Sequence, residues 1–123
     1  MRKKISTILI TSLLGILVIP SIAFASLEVG GTSSITTSTL SIKGYSKSTC
    51  NVSADTLEVK CNLWRDDKWV DGAEKIGSNV SKISTSCGVT NRPGTQTWEL
   101  FSRHVAHDDG YINTDTSYAK KYY

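Results

Sequence analysis

Hydrophobic and polar positions alternate through much of this chain with the period of a strand. Leu57, Val59, Cys61 and Leu63 interleave with Glu58, Lys60, Asn62 and Trp64, a strict period of two over eight residues that predicts a half-buried strand. Residues 80–89 alternate again, with Ile83, Thr85, Cys87 and Val89 on one side and Lys82, Ser84 and Ser86 on the other. Residues 33–43 (SSITTSTLSIK) are rich in β-branched side chains and predict a first strand ending at Gly44. Residues 96–106 carry apolar groups on both faces, Trp98, Leu100 and Ala106 against Phe101 and Val105, which predicts a central strand, and residues 111–119 predict a polar last one. Turn residues punctuate the pattern. Arg65-Asp66-Asp67-Lys68 leads into a short return strand, Trp69-Val70, ending near Asp71-Gly72, and Asn91-Arg92-Pro93-Gly94 and Asp108-Asp109-Gly110 follow. No 3.6-residue apolar period persists beyond residue 25. The pattern predicts an all-β protein, a small antiparallel two-sheet sandwich of about six to eight strands. Its core sets Leu57, Val59, Cys61 and Leu63 against Ile83, Cys87 and Val89.

The first 25 residues break this pattern: Arg2, Lys3 and Lys4 precede an apolar run over residues 5–22, and Ala23-Phe24-Ala25 follows. A charged start, an apolar middle and small residues at −3 and −1 predict a signal peptide over residues 1–25, cleaved to leave Ser26 as the first residue. No cysteine follows the cut to take a lipid, and no later segment approaches the ~20 apolar residues of a membrane span. Residues 26–123 are then expected to form one secreted domain, extracellular or associated with the cell wall. Of the chain's 14 basic residues three lie in the leader and none of its 11 acidic ones does, so residues 26–123 are formally neutral despite the net +3 of the whole. That balance gives no reason to expect a nucleic-acid partner.

Cys50, Cys61 and Cys87 all follow the leader, in what would be an oxidising compartment, and the arithmetic favours one disulfide with one thiol left over. Their spacing fits neither a zinc ribbon nor a thioredoxin-type pair. Cys61 and Cys87 share the inward parity of their strands and are the expected pair. Cys50 is then the free thiol, or a partner if the register of the second strand slips.

Little here points to catalysis. The chain holds no nucleophile elbow, no HExxH and no glycine-rich phosphate loop. The carboxylate pairs Asp66-Asp67 and Asp108-Asp109 fall at turn tips. His104 and His107 are three apart in a predicted strand and face opposite ways, so they cannot converge on one ion unless the strand bends between them, whereas His107 and Asp109 share a face. No catalytic residue, metal site or cofactor is expected. Asn51-Val52-Ser53 and Asn79-Val80-Ser81 match the glycosylation sequon, which the bacterial character of the leader discounts.

The aromatic residues carry the better signal. A hairpin loop centred on Asp66-Asp67 sets Trp64 and Trp69 opposite each other, on the face away from Leu57, Val59, Cys61 and Leu63. Adjacent exposed indoles suit sugar rings or a membrane interface. The alternative is a pair that clasps the hairpin beneath a loop or a chain end. At the C-terminus Tyr118-Ala119-Lys120-Lys121-Tyr122-Tyr123 sets cations among aromatics, with Lys120, Lys121, Tyr122 and Tyr123 as candidate contacts for anionic wall polymers or lipid head groups and a frayed terminal strand as the plainer account.

The leader, the Gly30-Gly31-Thr32 opening, Leu63-Trp64 with Lys68-Trp69-Val70, and Arg103 to Gly110 (RHVAHDDG) together resemble a family of small secreted β-sandwich proteins of unknown function from Gram-positive bacteria. The resemblance implies fold and export only. The expected function is a non-catalytic extracellular or envelope-associated binding protein, with a cell-wall polymer or membrane surface as partner. The alternative is a small exported bacteriocin-like protein acting on competitor envelopes, and a small hydrolase is the third class.

Overall fold

The computed structural model describes residues 26–123, so the predicted signal peptide, residues 1–25, lies outside the described residues. Five strands follow: β1 (Val29–Thr37), β2 (Ser41–Arg65), β3 (Lys68–Thr90), β4 (Thr97–Asp108) and β5 (Tyr111–Tyr122). Every pairing is antiparallel, in the order β1-β2-β4-β5 with β3 also on β2. The chain is therefore all-β and antiparallel, as the alternation predicts. Its strands, however, form one curled sheet, a half-barrel, where two separate sheets of about six to eight strands were expected.

Strand length accounts for the difference. β2 runs for 25 residues and β3 for 23. The first part of β2 pairs with β1 and with the end of β3, Ser41↔Thr90 to Thr49↔Lys82, while its second part pairs with the start of β3 and with β4. The hairpin bends where residues 50–53 of β2 stand opposite Ser81 alone, with Asn79 at φ 56°. Extra residues on one strand of a pair raise twist and bend it, so one strand serves both walls of the half-barrel.

Two sequence expectations are corrected accordingly. The strand predicted over residues 33–43 is broken at residues 38–40, because the Ser38 hydroxyl accepts from the backbone N–H of Leu40 (3.3 Å) and Ser41 (3.0 Å) and turns the chain without glycine or proline. The return strand expected to stop near Gly72 continues to Thr90. Gly72 marks a close approach: a Cβ there would lie 2.9 Å from Asn62 Oδ1 and 3.2 Å from the Cys61 carbonyl.

Each wall contributes to two apolar clusters. Ile35, Ile42, Cys61, Leu63, Cys87, Trp98 and Leu100 form one, and Val29, Ala54, Leu57, Val59, Ile83 and Ala106 the other. The expected inward residues of β2 and β3 are thus in the core, with Val89 half-buried against it. β1 lies along β5 without a backbone ladder, joined to it by Val29 N–H donating to Asn113 Oδ1 (2.8 Å) and by Ser33 and Ser117 hydroxyls 2.6 Å apart.

Candidate functional site: an aromatic strip on the outer face

Asp66 and Asp67 close the β2–β3 hairpin with φ of 48° and 66°, the mirror-image turn whose twist matches that of the strands it joins. Asp66 ties the turn to β4, its N–H donating to the Thr97 carbonyl (2.8 Å) and its Oδ1 accepting from Thr97 N–H (2.9 Å). Trp64 pairs with Trp69 as the hairpin argument requires. The register shifts between Leu63 and Trp64, which makes Val70 the extra residue of a bulge and sends it to the core. Trp69 stays outside.

The neighbouring strands extend this pair. Trp64 pairs with Glu99 and Asn62 with Phe101 on β4, and these pair with Lys120 and Tyr118 on β5. Alternation from buried Leu63 and Leu100 places Trp64, Phe101, Tyr118, Lys120 and Tyr122 on the outer face. Trp64 meets Phe101 edge to face, with centroids 6.4 Å apart, and Phe101 meets Tyr118 at 4.9 Å. Trp69 is 55% exposed, Phe101 46%, Tyr118 48% and Tyr122 66%, while Trp64 is half-buried among them. The result is a continuous strip across β3, β2, β4 and β5.

Hydrogen bonds hold its parts in place. Trp69 Nε1–H donates to Asn62 Oδ1 (3.0 Å), and the Tyr118 hydroxyl donates to Glu99 Oε2 (2.5 Å). The bond to Glu99 raises the Tyr118 phenol above its ordinary value, and contact with Tyr122 raises Lys120, whose Nζ lies 5.4 Å from the Tyr122 ring centroid. Tyr118 is therefore a neutral donor and Lys120 a full cation at neutral pH.

The structure sorts the sequence candidates. Trp64, Trp69, Lys120 and Tyr122 come together, although some fifty residues separate the two pairs in the chain. Lys121 pairs with Trp98 and falls with Tyr123 on the opposite parity, outside the strip. The C-terminus is not frayed: Tyr123 exchanges two backbone hydrogen bonds with Gln96, at 2.9 and 3.0 Å. Tyr118, at the start of the C-terminal aromatic segment, joins them, and Phe101, which was not among the sequence candidates, completes the strip. The apolar residues on the second face of residues 96–106 were the signal that could have found Phe101.

Cys61 and Cys87 face each other across the core, with their Sγ atoms sharing a hydrogen bond at 3.4 Å. They are thiols in this structure, beyond the ~2.05 Å of a disulfide. Their shared hydrogen bond lowers Cys61 and, with burial, raises Cys87. Cys50 packs half-buried against the other apolar cluster.

His104 is fully buried and His107 exposed. Ser48 Oγ lies 2.6 Å from His104 Nδ1 and donates to the Glu58 carbonyl at 2.9 Å, so it must accept from the ring. That places the proton on Nδ1, and Nε2 lies 2.8 Å from Ser117 Oγ. Burial lowers the imidazole's pKa, partly offset by the Asp115 carboxylate. With both nitrogens occupied and the ring sealed, His104 supports the fold and offers no group to a substrate. The aspartates at the turns are also structural, Asp108 Oδ1 accepting from Asp55 N–H and Asp55 Oδ2 from Asp109 N–H. Among the described residues no group of three or more His, Cys, Asp or Glu is placed to hold a metal.

No family model and no curated protein matches the chain. Among solved structures it is similar to a protein from Archaeoglobus fulgidus, at 8% sequence identity and a TM-score of 0.41, over 80% of this chain and 96% of that one. At that level the similarity carries no weight for function.

Proposed function

We propose that this chain is an exported, non-catalytic binding protein that attaches to envelope material through its outer aromatic strip. The observation that carries this reading is the contiguous exposure of Trp69, Phe101, Tyr118 and Tyr122 beside half-buried Trp64. Monomeric proteins seldom leave a large ordered apolar surface to water without a partner for it. Each ring is held by a ring contact, a hydrogen bond or a cation, so little freedom remains to be lost on binding. Export rests on the leader pattern of residues 1–25, and the resemblance to small secreted proteins of Gram-positive bacteria agrees with it.

The test is a Trp69→Ala/Phe101→Ala double variant in a sedimentation assay with whole envelope material. Both side chains are exposed, so the variant should fold and keep its Tm within about 4 °C of the parent, a shift worth ~1 kcal/mol or less. It should lose envelope association. Undiminished association of the folded variant would refute the reading.

Export also bears on Cys61 and Cys87. In an oxidising compartment two thiols 3.4 Å apart should close to a disulfide, their two protons and two electrons passing to an external disulfide oxidant by thiol exchange. Non-reducing peptide mapping of exported protein should return a Cys61–Cys87 peptide. A bridge to Cys50 in its place would overturn the pairing.

A further inference from the structure

Resting on that reading of the strip, we infer that its ligand is a neutral, linear glycan. The arrangement of ring faces, donors and acceptors carries the inference. The rings follow one another across four strands, which at ~4.8 Å between neighbours spans about 14 Å. This is a track for several consecutive units of a chain, and it runs across the strands. Polar groups of both kinds are set into it: Glu99 next to Lys120, and Asn62 beneath Trp69. Glu99 accepts from Tyr118 through one carboxylate oxygen, leaving lone pairs free to accept again, and Lys120 supplies an ammonium donor on the paired position of β5. An acceptor and a donor side by side match neighbouring sugar hydroxyls, each of which both donates and accepts. The rings match the C–H faces of pyranose units.

Charge argues against the competing occupant. Within the strip Glu99 and Lys120 cancel, and in the next two rows of the sheet Glu74 and Glu58 balance Lys60 and Arg103. Residues 26–123 as a whole carry 11 charges of each sign. An anionic lipid surface calls for a cationic excess that this face lacks. Insertion among lipid chains would also strip water from Glu99 and Lys120, at a desolvation cost that a hydroxyl-rich ligand avoids by replacing those hydrogen bonds.

The experiment uses the exported protein in parallel pull-downs. The probes are microcrystalline cellulose, chitin, peptidoglycan sacculi freed of anionic polymers, and vesicles of phosphatidylcholine with phosphatidylglycerol, each at low and high salt. The expected result is retention on at least one neutral glycan, insensitive to salt because no net charge is neutralised. Trp69→Ala and Glu99→Gln should each weaken that retention about tenfold or more. Trp69→Phe should restore part of it, and far-UV circular dichroism and Tm report that each variant is folded. Retention on vesicles alone, or retention on sacculi alone that high salt abolishes, would overturn the inference. If no neutral glycan retains the protein while Trp69→Ala/Phe101→Ala still loses whole envelope material, the ligand class is wrong and the strip reading stands. If that double variant keeps its envelope association, the strip reading falls and the glycan with it.

Discussion

His104 shows how one buried side chain can set a response to acid. Its ring is sealed between Ser48 and Ser117, and the backbone of β1 crosses so close that a Cβ on Gly31 would fall on the imidazole. Burial lowers its pKa below the ordinary value of 6.5. The folded state therefore binds fewer protons than the unfolded one just below that value, and stability must rise with pH there. The histidine's contribution is complete above about pH 6.5 and is lost as pH falls toward its lower folded value. Urea midpoints measured across this range should decline on acidification, and His104→Gln should flatten the decline. Gly31→Ala has no space to relax except by moving β1 or the ring. It should cost about 1 to 3 kcal/mol, an overpacking penalty visible as a lower Tm.

At the scale of elements, the two hairpins make an internal comparison. β4 and β5 are joined through Asp109 and Gly110, with φ of 49° and 81°, while β2 and β3 are joined through Asp66 and Asp67, at 48° and 66°. Both turns need two residues in the left-handed region, and Asp-Gly is a preferred pair for it. Only the first hairpin puts a side chain at the second position. Asp67→Gly should therefore stabilise the protein by up to about 1 kcal/mol, measured as a rise in urea midpoint at constant slope. Asp66 must be kept, because its carboxylate holds Thr97 at the start of β4. These turns were legible in the sequence because Asp and Gly announce them. The turn at residues 38–40 was not, since a serine hydroxyl makes it and serine is common throughout the chain. Nor was the continuity of β3 through Gly72, where a glycine that reads as a break instead lets Asn62 and the Cys61 carbonyl approach.

For the molecule as a whole, a 98-residue domain buries only about two thirds of its unfolded surface, so a single cross-link weighs heavily. A Cys61–Cys87 bridge would close a loop of about 25 residues, and reducing it should lower stability by about 2 to 4 kcal/mol. Denaturation of exported protein with and without dithiothreitol measures this, and Cys50→Ser should leave the difference unchanged. Intact-mass analysis of the same material should give Ser26 as the first residue. Recovery of a chain beginning at Met1 from the medium would refute cleavage after Ala25.

Sequence alone determined the class of the fold, the inward parity of Cys61 and Cys87, and the pairing of Trp64 with Trp69. All are local consequences of period-two alternation and of turn residues that declare themselves. Only the tertiary structure decided that β2 and β3 each cross both walls of a curled sheet, because bending at residues 50–53 depends on the unequal residue counts of two strands and on neither strand by itself. It likewise decided which aromatics share a surface. Phe101 and Tyr118 reach Trp64 through the β2–β4 and β4–β5 registers, and register is a long-range property, fixed when the whole apolar face is buried at once.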